Sequence, residues 1–283
     1  MEDLGPWHVG ERRAQALSSV EHLPGGAGIR SFMPDQHREF FAMLPFMVAG
    51  TLDDDGAPMA TLLTGRPGFV TSPDPMTLTL AARSTDPAGR RLVPGAAIGL
   101  LGIQPDTRRR NRANGVVTEA GEAGLTVRVR QSFGNCPQYI HPRHVMVDRR
   151  VSIDAEPLEG LDARARKQIA AADTFFVATS SGEGVENGGV DISHRGGPAG
   201  FVRIAGDVLT IPDYRGNRYF NTLGNLLLDA RAALLFVDFA NGELLQLQGT
   251  AEIAWDEREL PGAERTWRFR VERGWRGPAG LYA

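Results

Sequence analysis

The segment "FMVAGTLDDDGAPMATLLTGRPGF" (46–69) recurs later in the chain as "FFVATSSGEGVENGGVDISHRGGPAGF" (175–201). The second copy carries three extra residues before its final phenylalanine. A recurrence of this length is the signature of a duplicated structural unit. The alignment matches two residues of each copy, Phe46 with Phe175 and Arg66 with Arg195.

Two further pieces repeat in the same order along the chain. The stretch "AAIGLLGI" (96–103) matches "AALLFVDF" (232–239), and "NRANGVV" (111–117) matches "LQLQGTAEI" (245–253). Short windows of β sequence often look alike, but chance similarity would not preserve the order of the pieces. The chain is therefore predicted to be a tandem duplication.

Each copy has the pattern of short strands joined by tight turns. Gly56 supplies a turn in the first copy, and Gly206 supplies one inside "FVRIAGDVLTIP" (201–212). Asn241 and Gly242 lie between two apolar runs, which is a strong hairpin signal. Residues 217–231 have apolar side chains at helical spacing. Six strands with one inserted helix predict a small closed barrel in each half.

These patterns divide the chain into five parts. The parts are an N-terminal cap at 1–35 with a helix at "GERRAQALSSV", a first barrel half at 36–147, a helical linker at 148–174 with an amphipathic helix over 158–171, a second barrel half at 175–255, and a polar, arginine-rich tail at 256–283.

Composition excludes several classes of protein. The 283 residues are 42% hydrophobic and 23% charged, as in an ordinary globular protein. A formal net charge of −3 creates no field that attracts nucleic acid or an acidic membrane. The N-terminus lacks the pattern of a secretion signal, and no uncharged apolar span is long enough to cross a bilayer. The sequence predicts a soluble, cytoplasmic protein.

Two longer motifs carry a family resemblance. "TRRRNRANG" (107–115) and "FGNCPQYI" (133–140) in the first half, with "SHRGGPAGFVRI" and the segment from 209 to 253 in the second, resemble the pyridoxamine 5′-phosphate oxidase-like flavin-binding split barrels. The closer likeness is to a bacterial branch with two copies per chain. The fold class is accordingly predicted as mainly β with short helices, in two tandem FMN-binding split β-barrels.

The resemblance implies FMN as the cofactor, bound between two barrels, and redox chemistry on a small-molecule substrate or with a reductase partner. The Ser-Arg-Lys phosphate clamp of the vitamin enzyme is replaced here by "GNRYFNT" (216–222). Oxidation of pyridoxamine phosphate itself is therefore not expected. Whether two chains form a homodimer is left open.

The motif "SHRGG" (193–197) is the first candidate for the flavin phosphate. A phosphate dianion requires cations, hydroxyl groups and backbone N–H groups that it can approach closely. Ser193, His194 and Arg195 supply the first two, and Gly196 permits the approach. The alternative is a glycine-rich hairpin with an incidental arginine.

The motif "DYRGNRYFNTLGN" (213–225) is the second candidate. It lies at the N-terminal end of the predicted helix, where free N–H groups favour an anion. The neutral donors that this end offers are Asn217, Asn221, Thr222 and Asn225. Ordinary helix capping is the competing interpretation. The first copy has "STDPAGRRL" (84–92) at this place and lacks the asparagines, so one flavin per chain is expected.

The run "RRRNRANG" (108–115) is predicted to be a flavin-site strand. It aligns with "ELLQLQG" (243–249), in which leucines alternate with glutamines that face out of the barrel. Arg110 and Arg112 fall on the glutamine face, which in a packed tandem is the contact face between the halves. The alternatives are ion pairs between the halves or binding of nucleic acid.

The remaining candidates are single residues. Tyr139 is expected to lie at the edge of the flavin ring, and Arg66 is a weaker phosphate candidate as the first-half counterpart of Arg195. Cys136, the single cysteine, is expected to be an inert thiol. His141 and His144 have no further ligand cluster around them, so no metal site is predicted.

These observations leave three functional hypotheses for this fold. The first is an FMN-dependent oxidoreductase, with its catalytic residues unassigned. The second is a flavin-binding module that acts as a carrier or sensor without turnover. The third keeps the fold and exchanges the ligand for haem or the deazaflavin F420.

Overall fold

A computed structural model of the chain describes residues 5–20, 28–148 and 155–283, in which strands dominate and helices are short. The helices are α1 (Val9–Leu17), α2 (Asp35–Ala42), α3 (Ala163–Ala171) and α4 (Asn221–Leu226), with a 3₁₀ turn at Gly89–Arg91. No helix in these three ranges is long and apolar enough to cross a membrane.

The strands follow the order of the two copies. In the first half they are β1 (Phe46–Leu52), β2 (Pro58–Thr64), β3 (Val70–Asp74), β4 (Thr77–Leu80), β5 (Ala97–Gln104), β6 (Arg109–Gly121), β7 (Gly124–Gly134) and β8 (Met146–Val147). In the second half they are β9 (Glu156–Leu158), β10 (Thr174–Ser180), β11 (Val190–Gly196), β12 (Arg203–Ala205), β13 (Val208–Tyr214), β14 (Arg231–Asp238), β15 (Glu243–Ala254), β16 (Ala263–Pro278) and β17 (Leu281–Tyr282).

The two main sheets have the same topology. The first has the strand order β2-β1-β5-β6-β7-β4-β3, and the second has the order β11-β10-β14-β15-β16-β13-β12, to which β9 adds beside β16. Every strand of one path has a counterpart at the same place in the other. The predicted fold class, a mainly β tandem of two equivalent halves, is therefore confirmed.

The predicted register between the copies is wrong by one residue in the first strand of the repeat and by three residues in the second. Val177 pairs with Ser193 and with Leu234 in the second sheet. The residues with the same pairings in the first sheet are Ala49, Thr61 and Leu100. Phe175 is therefore the counterpart of Met47, not of Phe46, and Leu63, not Arg66, matches Arg195. A slip of one residue would move every core side chain of a strand to the opposite face.

Neither sheet closes into the expected six-stranded barrel, because β2 and β11 remain at the ends of their sheets. The other half occupies those edges. Gln246 and Gln248 of β15 donate from their amide nitrogens to the carbonyl oxygens of Ala60 and Pro58 in β2, at 2.7 and 2.8 Å. The glutamines thus point out of their own half, as predicted, and hydrogen-bond an edge that would otherwise lack partners.

Three hydrophobic clusters hold the molecule together. Each half has its own core, around Phe41 and Met47 in the first and around Phe175 and Trp267 in the second. The third cluster lies between the halves and includes Phe46, Val48, Phe176 and Leu235, all nearly inaccessible to solvent. The two halves are consequently held together by an apolar interface between their sheets.

Two expectations about the second half differ from the structure. The segment expected as a tail contains β16, a sixteen-residue strand that pairs with both β15 and β13. The helix expected over 217–231 is only the six-residue α4, because Arg218 and Phe220 have left-handed backbone conformations that no helix continues. The linker helix likewise begins only at α3, after an Asp162 N-cap.

The interface between the halves depends on one close backbone approach. A Cβ atom at Gly99 in β5 would lie 2.7 Å from the carbonyl oxygen of Val190 in β11. We expect Gly99→Ala to lower the free energy of unfolding by about 1–3 kcal/mol, because the strands would have to separate. Urea unfolding measures this change. Gly121→Ala is the matched control, since a Cβ there meets no atom within 4 Å, and an equal loss in both variants would contradict the interface explanation.

Candidate functional site

A crevice runs between the halves, where β6 faces β11, β13 and α4. It has two adjoining compartments that share part of their lining. Ser193, Thr222 and Arg265 line the first compartment, and Arg110, Cys136, Tyr139 and His194 line the second. The residues that line both are Arg112, Arg195, Asp213, Tyr214, Gly216 and Asn217.

Arg112 is the central side chain of the crevice, and it is 6% exposed. Its guanidinium donates to Ser193 Oγ at 2.7 Å, to Asn135 Oδ1 at 2.9 Å and to Asn221 Oδ1 at 3.2 Å. It also lies 3.5 Å from the carboxylate of Asp191. Burial lowers the pKa of Arg112 to about 10 although Asp191 opposes the shift, so it remains a cation at neutral pH.

The predicted polar residues of α4 belong to the same network. Thr222 Oγ1 donates to Ser193 Oγ at 2.9 Å. Asn225 is fully buried, and its amide donates to Thr179 Oγ1 at 3.1 Å and to Asp191 Oδ2 at 3.0 Å. Asn225 therefore supports Asp191 from beneath the crevice, whereas Thr222 lines it.

A second ion-pair group lies on β13 and β16. Asp213 accepts from Arg265 Nη1 at 2.6 Å and lies 3.7 Å from Arg195 Nη2. Arg265 also stacks over Phe220, 5.2 Å from the ring centroid. Arg195 is thus the more weakly paired of the two arginines, and its Nε has no hydrogen-bond partner among the described residues.

Among the described residues, no carboxylate pairs with Arg110. Its guanidinium contacts His194 Nδ1 at 2.6 Å and Cys136 Sγ at 3.7 Å, and its Nε has no partner among the described residues. Because arginine only donates, His194 must accept at Nδ1 and carry its proton on Nε2. Burial, and next the charge of Arg110, holds the pKa of His194 well below its usual range, so this imidazole is neutral. Its Nε2, in a side chain 4% exposed, has no partner in the described part of the chain.

The crevice therefore carries an excess of positive charge. The five arginines that line it are Arg110, Arg112, Arg195, Arg218 and Arg265. Asp191 and Asp213 are the carboxylates that pair with them in the interior. At the rim, Glu264 lies 3.7 Å from Arg218 and 3.5 Å from Arg265. Two positive charges remain uncompensated, beside N–H groups that lack acceptors. Such a lining favours an anionic ligand with several oxygens.

An additional carboxyl approaches the crevice from the N-terminal segment. Glu11 in α1 is 3% exposed, accepts from the side-chain amide of Asn221, and accepts from the backbone N–H of His8 at 3.0 Å. Burial, followed by the charge of Asp191, raises the pKa of Glu11 to about 8. The carboxyl is thus mostly protonated at pH 7 and does not neutralise the arginines.

The structure brings most of the predicted site residues together. Ser193, His194, Arg195, Asn217, Asn221, Thr222, Arg110, Arg112 and Tyr139 line the two compartments. Gly196 is required for another reason: a Cβ there would lie 2.0 Å from the carbonyl oxygen of Tyr139. Arg66 lies in an exposed turn outside both compartments, consistent with the corrected register.

Sequence reasoning missed four residues of the site, namely Glu11, Asp191, Asp213 and Arg265. Asp213 is the first residue of one quoted motif and Asp191 lies two residues before another, so a search for carboxylates to balance the buried arginines could have found them. Glu11 and Arg265 lie in segments that were interpreted as a cap and a tail. The described residues contain no cluster able to hold a metal ion.

The equivalent place in the first half is filled by a carboxyl group. Thr61, the counterpart of Ser193, donates to Asp86 Oδ2 at 2.5 Å. Gln246, the counterpart of Arg112 in strand pairing, donates to the same oxygen at 2.9 Å. Asp86 is 1% exposed, and the backbone N–H of Gly89 donates to its other oxygen at 2.6 Å. An acidic group and a neutral amide replace the cation, so this place repels an anion.

Comparison with known proteins agrees with the duplication. The family described as pyridoxamine 5′-phosphate oxidase matches the chain twice, over residues 33–159 and 161–273. The two matches together include the strands of both main sheets, except for the last five residues of β16. No curated protein matches the sequence.

Several solved structures resemble part of the chain. HupZ of Group A Streptococcus is 17% identical over 43% of this chain and 98% of its own, with a TM-score of 0.33. An FAD-binding protein from Mesorhizobium loti is 13% identical over 43% of this chain and 96% of its own, with a TM-score of 0.30. HutZ, a haem storage protein from Vibrio cholerae, is 13% identical over 44% and 94%, with a TM-score of 0.26.

The buried carboxyl of Glu11 should make stability depend on pH. Its pKa in the folded protein, about 8, is above the value of 4.5 for a solvated glutamate. The unfolded chain therefore releases the proton first, and the free energy of unfolding falls as pH rises from 4.5 to 8. Glu11→Gln lacks the titrating carboxyl. We expect the free energy of unfolding of this variant, minus that of the natural protein, to increase by on the order of 3 kcal/mol between pH 4.5 and 8. Chemical denaturation at several pH values tests this, and a constant difference would contradict it.

Proposed function

The chain belongs to the pyridoxamine 5′-phosphate oxidase family, and from that premise we propose that it binds FMN in the crevice and acts as an FMN-dependent oxidoreductase. The observation that carries the proposal is the lining of the crevice. Two uncompensated positive charges and several N–H groups without acceptors match the dianionic phosphate of FMN in charge and in hydrogen-bonding capacity.

The first compartment is the better place for the phosphate. Arg195 and Arg112 supply the charge there, and the Ser193 hydroxyl faces the same space. Thr222 and Asn217 add neutral polar groups at the wall and at the exposed mouth. Asn221 would contribute indirectly, because its carbonyl oxygen holds the guanidinium of Arg112.

The second compartment would then receive the flavin ring. Tyr139 and Tyr214 stack on each other there with centroids 5.1 Å apart, and Arg110 offers N–H groups. FMN, when bound, supplies exchange of hydride or single electrons, and the residues of the chain bind and orient it. We propose a small-molecule redox substrate or a reductase as the partner, and not pyridoxamine phosphate.

Haem is a second candidate that one observation favours. His194 is neutral, and its Nε2 has no hydrogen-bond partner among the described residues, so this nitrogen would be open to iron once its proton had been released. The arginines could pair with the propionates. FMN is the better proposal, because Arg110 donates to Nδ1 and so keeps the proton on Nε2, the nitrogen that would have to ligate iron.

The first experiment is an absorbance spectrum of the protein after addition of FMN and removal of the excess. We expect retained flavin bands in the natural protein. Arg195→Ala should weaken FMN binding by at least tenfold without unfolding the chain, because Asp213 keeps its hydrogen bond to Arg265. Arg66→Ala is the matched control, since Arg66 lies in an exposed turn.

Each outcome of this experiment decides between the candidates. A Soret band on addition of haemin, lost in His194→Gln, would replace flavin with haem. If the protein retains FMN, but NADH, NADPH and an added reductase all fail to reduce it, the result would favour a carrier or sensor. Equal FMN affinity in Arg195→Ala and the natural protein would overturn the phosphate placement.

The stoichiometry provides a separate prediction. Since Asp86 fills the first-half counterpart of the crevice, we expect one FMN per chain. Fluorescence titration measures the number of equivalents bound. A value of two would mean that the carboxyl of Asp86 leaves its buried position, contrary to the three hydrogen bonds it accepts.

A further inference from the structure

The N-terminal helix α1 lies outside both segments that match the family, and it contacts the wall of the crevice. A Cβ atom at Gly10 would lie 2.2 Å from the carbonyl oxygen of Gly224, so α1 and α4 pack backbone against backbone. Trp7 is buried with its ring edge-on to Tyr219, 4.9 Å between centroids. The helix is thus held in a fixed place above α4.

This packing directs one carboxyl into the hydrogen-bond network of the crevice. The side chain of Glu11 accepts from the Asn221 amide nitrogen, and the Asn221 oxygen accepts from Arg112 Nη1 at 3.2 Å. A capping box with His8 fixes the rotamer of Glu11, because His8 N donates to its second oxygen. One amide therefore separates the carboxyl from the central guanidinium.

We infer that Glu11 is a positioning residue of the anion site: it orients Arg112 through Asn221, and its charge state sets how strongly the crevice binds a dianion. The inference rests on the proposed function, in which that dianion is the phosphate of FMN. The protonated carboxyl leaves the excess of positive charge intact. The ionised carboxyl cancels part of it and draws Arg112 toward α1.

The charged groups that face Glu11 come from three elements. His8 of α1 lies 3.7 Å away, Asp191 of β11 opposes ionisation, and Arg112 of β6 favours it. Burial is the largest influence, and the pKa of Glu11 at about 8 places the transition within an accessible pH range. Burial also lowers the pKa of His8, so His8 stays neutral through this range.

The test is the pH dependence of FMN affinity between pH 7 and 9, where the FMN phosphate, with its second pKa near 6, is almost entirely a dianion. We expect the affinity of the natural protein to fall about fivefold to tenfold as Glu11 ionises. Glu11→Gln should abolish this step while still binding FMN. Glu39→Gln, at an exposed position of α2, is the control and should keep the step.

A parallel series with sulfate, a dianion throughout this range, separates the two proposals. Sulfate binding is followed by the rise in melting temperature. A Glu11-dependent step for sulfate without any FMN binding would retain the role of Glu11 and overturn the FMN proposal. If FMN affinity has the same pH profile in the natural protein and in Glu11→Gln, the role of Glu11 is overturned, and the proposal of an FMN site still stands. Absence of binding by both anions would overturn both.

Discussion

The guanidinium of Arg112 joins the two halves of this molecule at the place where its chemistry is proposed. It extends from β6 of the first half to Ser193 and Asp191 in β11 and to Asn221 in α4. A buried cation is stable only when its donors are satisfied, so every element around it must hold a definite position. The close packing of the sheets and the direction of α4 follow from that requirement.

The duplication explains why the two contacts between the halves have equivalent positions, and the divergence of the copies explains why the side chains at those positions differ. In the contact from the second half to the first, glutamines of β15 hydrogen-bond the backbone of β2. In the contact from the first half to the second, an arginine and an asparagine of β6 hydrogen-bond side chains of β11. The two contacts are related by the repeat, but Gln246 stands where the other contact has Arg112. With Asp86 beside it, that exchange removes the charge on which an anion site depends.

The sequence predicted much of the site because strand alternation is simple. Placing Arg110 and Arg112 on the outward face needed only the alignment with the glutamine strand, and both face the second half. The role of Asn225 could not be predicted in this way, because a helical asparagine has the same pattern whether it faces a ligand or, as here, a buried aspartate. The short length of α4 could not be predicted either. The helix begins only after Phe220, which has a left-handed backbone conformation and whose ring lies against Arg265.

The sequence by itself determined the duplication, the β character and the motifs that line the crevice, since repeats and strand periodicity are local properties of the chain. Only the tertiary structure decided which carboxylates balance which arginines, because Arg112, Asp191, Asp213 and Arg265 come from four separate segments. The net charge of a buried site is a sum over neighbours in space. The packing of the folded chain decides which residues become neighbours in space, and the order of residues along the chain does not show this.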